Sequence, residues 1–337
     1  CIAMTPNPAL HLDGRHICIV GAGAVGLFLT GLFGRFVPVT LLRKSPRTPT
    51  ELSSLKVAGA VEWIVPSDNL HVVESAEISA IPQPALIFIC VKAYDLREAL
   101  ERLIPSLVKD HTVIVCQNGL GVYQEAAELL SGVCPVLRMF PRFGVMCSGE
   151  FEVHLANSIS LTFASTASDL PLRDDLVEMF RSLACEADTV DNIVLGEWQK
   201  LLLNLAVNPI CTLLNRENGY ILEQTELRRL VSALLSEARS VAAKEGFDLS
   251  HPSDDEIFQQ IAGCRDNINS TLSDVRNSKR NDIDYILGRL LRLADAYEVA
   301  VPRCRTLYAL LNSLRTQEDS DRREKLASSG AYNSNVK

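Results

Sequence analysis

HICIVGAGAVGLFLTGLFGRF, residues 16–36, joins an apolar run of strand length to a helix-like segment through six residues of the form GxGxxG. Taken alone, such a run of glycines is a weak signal, because glycine also marks plain turns. Its place gives it weight: it closes a first strand and opens a helix, as a dinucleotide-binding βαβ unit requires. Gly21 allows the tight turn, and Gly23 lets backbone N–H groups of Ala24 and Val25 approach a pyrophosphate. Gly26 permits close helix–strand packing at the positive end of the helix dipole. Gly21, Gly23, Ala24, Val25 and Gly26 are therefore the expected cofactor-binding loop.

Outward from the loop, strand-length runs alternate with helical patterns. VPVTLL (37–42), ALIFICV (85–91) and HTVIVC (111–116) read as strands, and DLREALERLIPSL (95–107) reads as a helix. Such alternation predicts a Rossmann-like, doubly wound parallel sheet in an α/β fold. PVLRMF, FEVHLA and SISLTFAS, within 134–165, suggest further strands. Beyond about residue 190 only three-to-four-residue apolar spacing survives, so an all-α C-terminal domain is expected. The expected organisation is an N-terminal extension over 1–14, a nucleotide-binding domain over 15–190 and a helical substrate and catalytic domain over 191–318. A polar tail over 319–337 is expected to be disordered.

Composition narrows the function classes. The 337 residues are 47% hydrophobic and 22% charged, as expected of a globular enzyme. A net charge of −8 with no basic block argues against nucleic acid as a partner. Ten cysteines, none closer than 13 positions to the next and none in a CxxC, argue against a metal site and a disulfide framework. That usage points to a reducing, cytoplasmic compartment. No apolar run approaches the ~18 residues of a membrane span, and the first residues lack the pattern of a signal peptide. A small molecule is the expected partner, and a homodimer is an expectation that the sequence does not decide.

The end of the second strand bears on the nucleotide. An NAD site usually carries Asp or Glu there to bond the ribose 2′-hydroxyl. This chain has Leu42-Arg43-Lys44, and no acid follows until Glu51. Two cations suit a 2′-phosphate and favour NADP(H), although solvated loop charges would read the same way. Lys92, after ALIFICV, and Gln117-Asn118-Gly119, after VIVC, also fall at strand ends on the expected ligand side.

WQKLLLNLAVNP, 198–209, places Lys200, Asn204 and Asn208 four residues apart among Leu, Ala and Val. Four helical residues turn through about 400°, so each step drifts only ~40° and the three polar groups share a face. An amphipathic surface helix would give the same stripe. Such faces usually carry several Glu, Gln, Lys or Arg per turn, so a narrow Lys-Asn-Asn stripe reads better as a pocket lining. In DNINSTLSDVRNSKRNDIDYILG (266–288), Asn267, Ser270 and Asp274 are spaced to share a helical face. Asp282 opens the next helix, where it could favour the dipole or pair with Lys279 or Arg280.

Together the glycine loop, VKAYD, QNGLG, W-x-K-x-x-x-N-x-x-x-N-P and NSTLSDV…NDIDYILG resemble the 2-dehydropantoate 2-reductase (ketopantoate reductase) family over roughly residues 15–315. The paired K-x-x-x-N-x-x-x-N-P and S-x-x-x-D…ID-Y elements are much more specific than the glycine loop. The resemblance implies that Lys200 is the catalytic lysine, that Asn204 and Asn208 bind substrate, and that Ser270 receives the substrate carboxylate. It places Lys92 and Asn118 beside the nicotinamide and the reacting ketone, with Asp282 where the family usually has Glu. Asn269 and Thr271 replace Ser and Met around Ser270, Leu287 replaces Asn, and FPRFGVMCSGE matches poorly. The implied activity is NADPH-dependent reduction of ketopantoate to pantoate in pantothenate and coenzyme A biosynthesis. In that reaction Lys200 would polarise the ketone and donate the proton, while Asp282 would either support the ammonium or bind a hydroxyl. Two alternatives stay open: reduction of another short 2-keto acid, and an inactive NADP(H)-binding sensor. Retention of Lys200, Asn204, Asn208 and Ser270 speaks against the sensor, which has no need of a proton donor.

Overall fold

The computed structural model describes residues 14–44, 54–74 and 81–314. The N-terminal extension before Gly14, Glu51 and the tail over 319–337 lie outside these. The chain divides into two compact units, Cys1–Leu201 and Leu202–Lys337, and the division falls inside one long helix.

The first unit contains β1 (His16–Val20), α1 (Ala24–Gly34), β2 (Val39–Arg43), β3 (Ser54–Gly59), β4 (Trp63–Pro66), β5 (Leu70–Glu74) and β6 (Ala85–Ile89). It continues with α2 (Leu96–Leu103), β7 (Thr112–Val115), α3 (Val122–Leu129), β8 (Val136–Pro141), β9 (Val145–Gly149), β10 (Glu152–Leu155), β11 (Ser160–Ala164), α4 (Leu170–Ser182) and β12 (Glu186–Thr189). The main sheet runs β12-β11-β8-β7-β6-β1-β2-β5, parallel throughout except where β11 meets β8. As expected, it is Rossmann-like. The chain leaves β1 toward β2 and β5, then crosses to β6 on the other side. The carboxyl ends of β1 and β6 thus flank the switch point where such sheets bind ligands.

Strand alternation sorts the core. Ile17, Ile19, Phe88, Ile114, Leu137 and Phe163 face α1 and α4, where Phe33 and Phe180 each lie 5.4 Å from a ring of the sheet. Burial of each such ring contributes on the order of 1.5–3 kcal/mol. Phe140 and Ala164 point to the opposite face, against Tyr123 and Ile193.

Sequence reading did not foresee the second sheet, β4-β3-β10-β9, which covers the outer side of α1. It accounts for the all-round burial of α1, a segment apolar on nearly every face that needs cover on its outer side as well. Gly31 makes the fit possible: a Cβ there would stand 2.7 Å from Val57 and 2.8 Å from Leu55 of β3.

α5 (Ile193–Leu214) crosses into the second unit, which continues with α6 (Tyr220–Glu223), α7 (Thr225–Lys244), α8 (Asp254–Gly263), α9 (Ser270–Arg276), α10 (Arg289–Ala296) and a helix over 302–314. Its described residues contain no strand, as the apolar spacing predicted. Leu234, Leu235, Ala238, Val241 and Ala242 form the buried stripe of α7. Glu237, buried on the same helix, accepts the N–H groups of Arg303 (3.1 Å) and Cys304 (2.9 Å) and so caps the 302–314 helix.

One expectation needs correction. Asn267 does not share a helical face with Ser270 and Asp274, because α9 starts at Ser270. The Asn269 side chain caps it by accepting Leu272 N–H at 2.9 Å, and a capping residue holds its predecessors out of the helix.

Candidate active site

The glycine loop leaves β1 at Gly21, whose N–H donates to Leu42 O at 2.8 Å. Gly21 has φ +108°, and a Cβ there would stand 2.8 Å from Val91 N. A Cβ on Gly26 would overlap the Gly21 carbonyl. Both positions must be glycine for the loop to fold. Gly23 differs: its φ is −83°, and the nearest atom to an added Cβ is Cys90 O at 4.0 Å. The chain itself thus leaves space at Gly23, in front of the first turn of α1. That turn holds no acidic residue and no side-chain cap, so the N–H groups of Ala24 and Val25 and the helix dipole remain available to an anion. The loop fits a dinucleotide pyrophosphate.

Three neighbouring strand ends extend the row. Arg43 is the last residue of β2, Lys92 stands three residues beyond β6 as half-buried N-cap of a short 3-10 turn, and half-buried Asn118 follows β7. Four adjacent parallel strands therefore present Arg43, the glycine loop, Lys92 and Asn118 along one edge. Arg43 pairs with Glu150 at 3.2 Å and lies over the Phe151 ring, 5.7 Å from its centroid. Lys44 is more exposed and pairs with Glu98 (2.8 Å) and Asp95 (3.4 Å). The two cations thus face internal acids that a phosphate would have to displace.

Lys200 belongs to the same unit. Its ammonium donates to Pro141 O, at the end of β8, at 2.7 Å. One turn earlier on α5, Glu197 is buried, and sequence reading gave it no role. Its carboxylate accepts Gly121 N–H (2.6 Å), Tyr123 N–H (3.1 Å) and Arg138 Nε (3.2 Å). Arg138, also buried, donates to Val115 O and Met139 O at 2.8 Å each and to Gln117 O. Burial lowers the Arg138 guanidinium from its ordinary value, and the Glu197 charge opposes that shift.

In the second unit the polar stripe continues down α5. Asn204 and Asn208 are buried, and the Nδ2 of each lacks a hydrogen-bond partner. Pro209, inside the helix, has no N–H, so the Leu205 carbonyl loses its helical donor. Thr212, one turn past Asn208, donates to Asn269 Oδ1 at 3.4 Å. That bond ties α5 to the start of α9, where Ser270 is exposed. Buried Asn269 Nδ2 and Thr271 Oγ1, on either side of Ser270, also lack partners. A separate element holds Asp282: it is 6% exposed, and its carbonyl accepts Tyr285 N–H at 2.9 Å as the next helix begins. That helix opens with a π-turn over Asp284–Gly288.

Comparison with known proteins gives these features a context. Residues 17–168 match the family model "Ketopantoate reductase PanE/ApbA", and residues 192–315 match its C-terminal counterpart. The chain is 26% identical to the 2-dehydropantoate 2-reductase of Pyrococcus abyssi, over 90% of this chain and 98% of that protein. It is 30% identical to that of Yersinia pestis, over 71% and 77% respectively. A PanE/ApbA family ketopantoate reductase from Ralstonia eutropha JMP134 shares the fold, with a TM-score of 0.78 at 23% identity over 90% of this chain and all of the other.

Proposed function

This chain belongs to the ketopantoate reductase family, and from that premise we propose that it reduces 2-dehydropantoate to pantoate with a nicotinamide cofactor, specifically NADPH. The observation that carries the reading is the Lys200, Asn204, Asn208 stripe on α5, buried from Asn204 onward, with amide donors that the chain leaves without partners. Orphaned buried donors are costly, and a polar substrate would satisfy them. The reaction converts ketopantoate, NADPH and a proton to pantoate and NADP⁺.

When bound, the reduced nicotinamide supplies hydride to the ketone carbon. Negative charge then grows on the ketone oxygen, and Lys200 meets it with an ammonium that stabilises the charge and releases a proton to that oxygen. Asn204 and Asn208 orient the substrate through their Nδ2 groups. On the family's pattern Ser270 would donate to the substrate carboxylate, Asn118 would bond the ketone oxygen, and Asp282 would accept the primary hydroxyl. Gly21, Gly23 and Gly26 admit the pyrophosphate to the N–H groups of Ala24 and Val25. Lys92 would lie beside the nicotinamide, and Arg43 would favour the 2′-phosphate. No helix among the described residues is long and apolar enough to cross a membrane.

A second reading, reduction of another short 2-keto acid, rests on Asn269 and Thr271, which stand beside Ser270 where the family usually has Ser and Met and whose Nδ2 and Oγ1 lack partners. A panel of 2-keto acids with NADPH, followed by loss of NADPH absorbance, tests both. Ketopantoate should give the highest kcat/KM. A higher value for another acid would select the second reading, and no turnover with any acid would overturn both.

A further inference from the structure

A buried ion pair is weak evidence for stability, since apolar residues of similar volume often serve as well or better. Arg138 and Glu197 nevertheless occupy the interior of the first unit, and their partners fall on β7, β8, α3 and the loop between β7 and α3. Arg138 holds Val115 O and Gln117 O at the carboxyl end of β7, while Glu197 holds Gly121 N–H and Tyr123 N–H at the start of α3. Asn118 lies in the short loop between, so the pair grips that loop from both sides. The pair also meets its neighbours in register. Glu197 precedes Lys200 by three residues on α5, and Arg138 precedes Pro141 by three on β8. Glu197–Arg138 at 3.2 Å and Lys200–Pro141 at 2.7 Å are therefore two successive rungs that fix α5 on β8.

We propose that Arg138 and Glu197 are positioning residues for the reduction: one buried clamp that sets both the Lys200 ammonium and the Asn118 amide. The proposal rests on the reductase reading above. Neither residue touches substrate. The clamp acts by fixing the rotation of α5 about its axis and the path of residues 117–121. Displacements of the order of 1 Å in such groups cost roughly a hundredfold in rate.

Glu197→Gln tests the clamp with little change of shape. Its amide offers one acceptor oxygen where Gly121 N–H, Tyr123 N–H and Arg138 Nε all donate, so an N–H must face a donor. The expected result is a fall of roughly ten- to a hundredfold in kcat per NADPH-binding site, with NADPH affinity within about twofold of wild type, because the glycine loop and Arg43 sit on other strand ends. Arg138→Lys keeps the charge but loses the fork to three carbonyls; it should show the same split, and it decides the matter if Glu197→Gln does not fold. Wild-type kcat per binding site in the folded variant, with only the melting temperature lowered, would reduce the pair to a structural role. Wild-type protein without 2-keto acid reductase activity would instead overturn the reading beneath the proposal.

Discussion

Arg43 and Glu150 form an ion pair at 3.2 Å at the end of β2, where the ribose of a dinucleotide is expected. The acid comes from the turn between β9 and β10, more than a hundred residues away. Glu150 is thus an internal competitor for a 2′-phosphate. Glu150→Gln should tighten NADPH relative to NADH, by at most about fivefold, the usual range of a solvent-accessible pair. Arg43→Asp should act in the opposite direction and weaken NADPH far more than NADH, since it replaces attraction by repulsion. Dissociation constants for both nucleotides check this; an unchanged ratio in both variants would mean that another residue reads the phosphate.

The two outer glycines and the middle one of GAGAVG answer to different demands, and substitution separates them. Gly23→Val should still fold, because outside its chain neighbours the nearest atom to the added Cβ is Cys90 O at 4.0 Å. It should nonetheless abolish calorimetric NADPH binding. Gly26→Ala should destabilise the fold by on the order of 1–3 kcal/mol or more, because its Cβ meets the Gly21 carbonyl. Normal NADPH binding by folded Gly23→Val would remove the loop from the cofactor site.

Much of this arrangement was legible in the sequence, because its signals are local. HICIV followed by glycines announces β1 and the turn within a dozen residues, and the Lys200, Asn204, Asn208 spacing needs only helical geometry. The small sheet as a unit gave no such signal, although FEVHLA was read as a strand and is its β10. Its strands are four to six residues long, VMCSG of β9 is largely exposed, and β3 pairs with β10, almost a hundred residues away. Glu197 was missed for the same reason. Within GEWQK it looks like an ordinary helix-surface acid, and its partners at Gly121 and Tyr123 lie 76 and 74 residues back. Asn267 was misplaced because helical spacing carried the pattern through Asn269, which caps α9 instead.

The capping box of α8 gives a prediction in pH. Ser253 N–H, the His251 side chain and the Ser253 hydroxyl bond the Glu256 carboxylate and hold its pKa down to about 2, from an ordinary 4.5. A depressed carboxyl pKa contributes stability that is present above about 4.5 and is lost as pH falls toward 2. The Glu256 carboxyl should therefore titrate by NMR near pH 2, and Ser253→Ala should move its midpoint back toward 4.5. A wild-type midpoint already in the ordinary range would contradict the box.

The central claim concerns the proton that Lys200 would give to the reduced ketone, and the most direct measurement is single-site kinetics on Lys200→Met, close in length and uncharged. With ketopantoate and NADPH, kcat should fall by a factor on the order of 10²–10⁴, the range for a positioned acid or base. NADPH affinity should stay within about twofold of wild type, and Lys200→Ala should behave alike if charge and proton matter rather than packing. A kcat within about twofold of wild type in both variants, the range expected of a surface residue, would contradict the account.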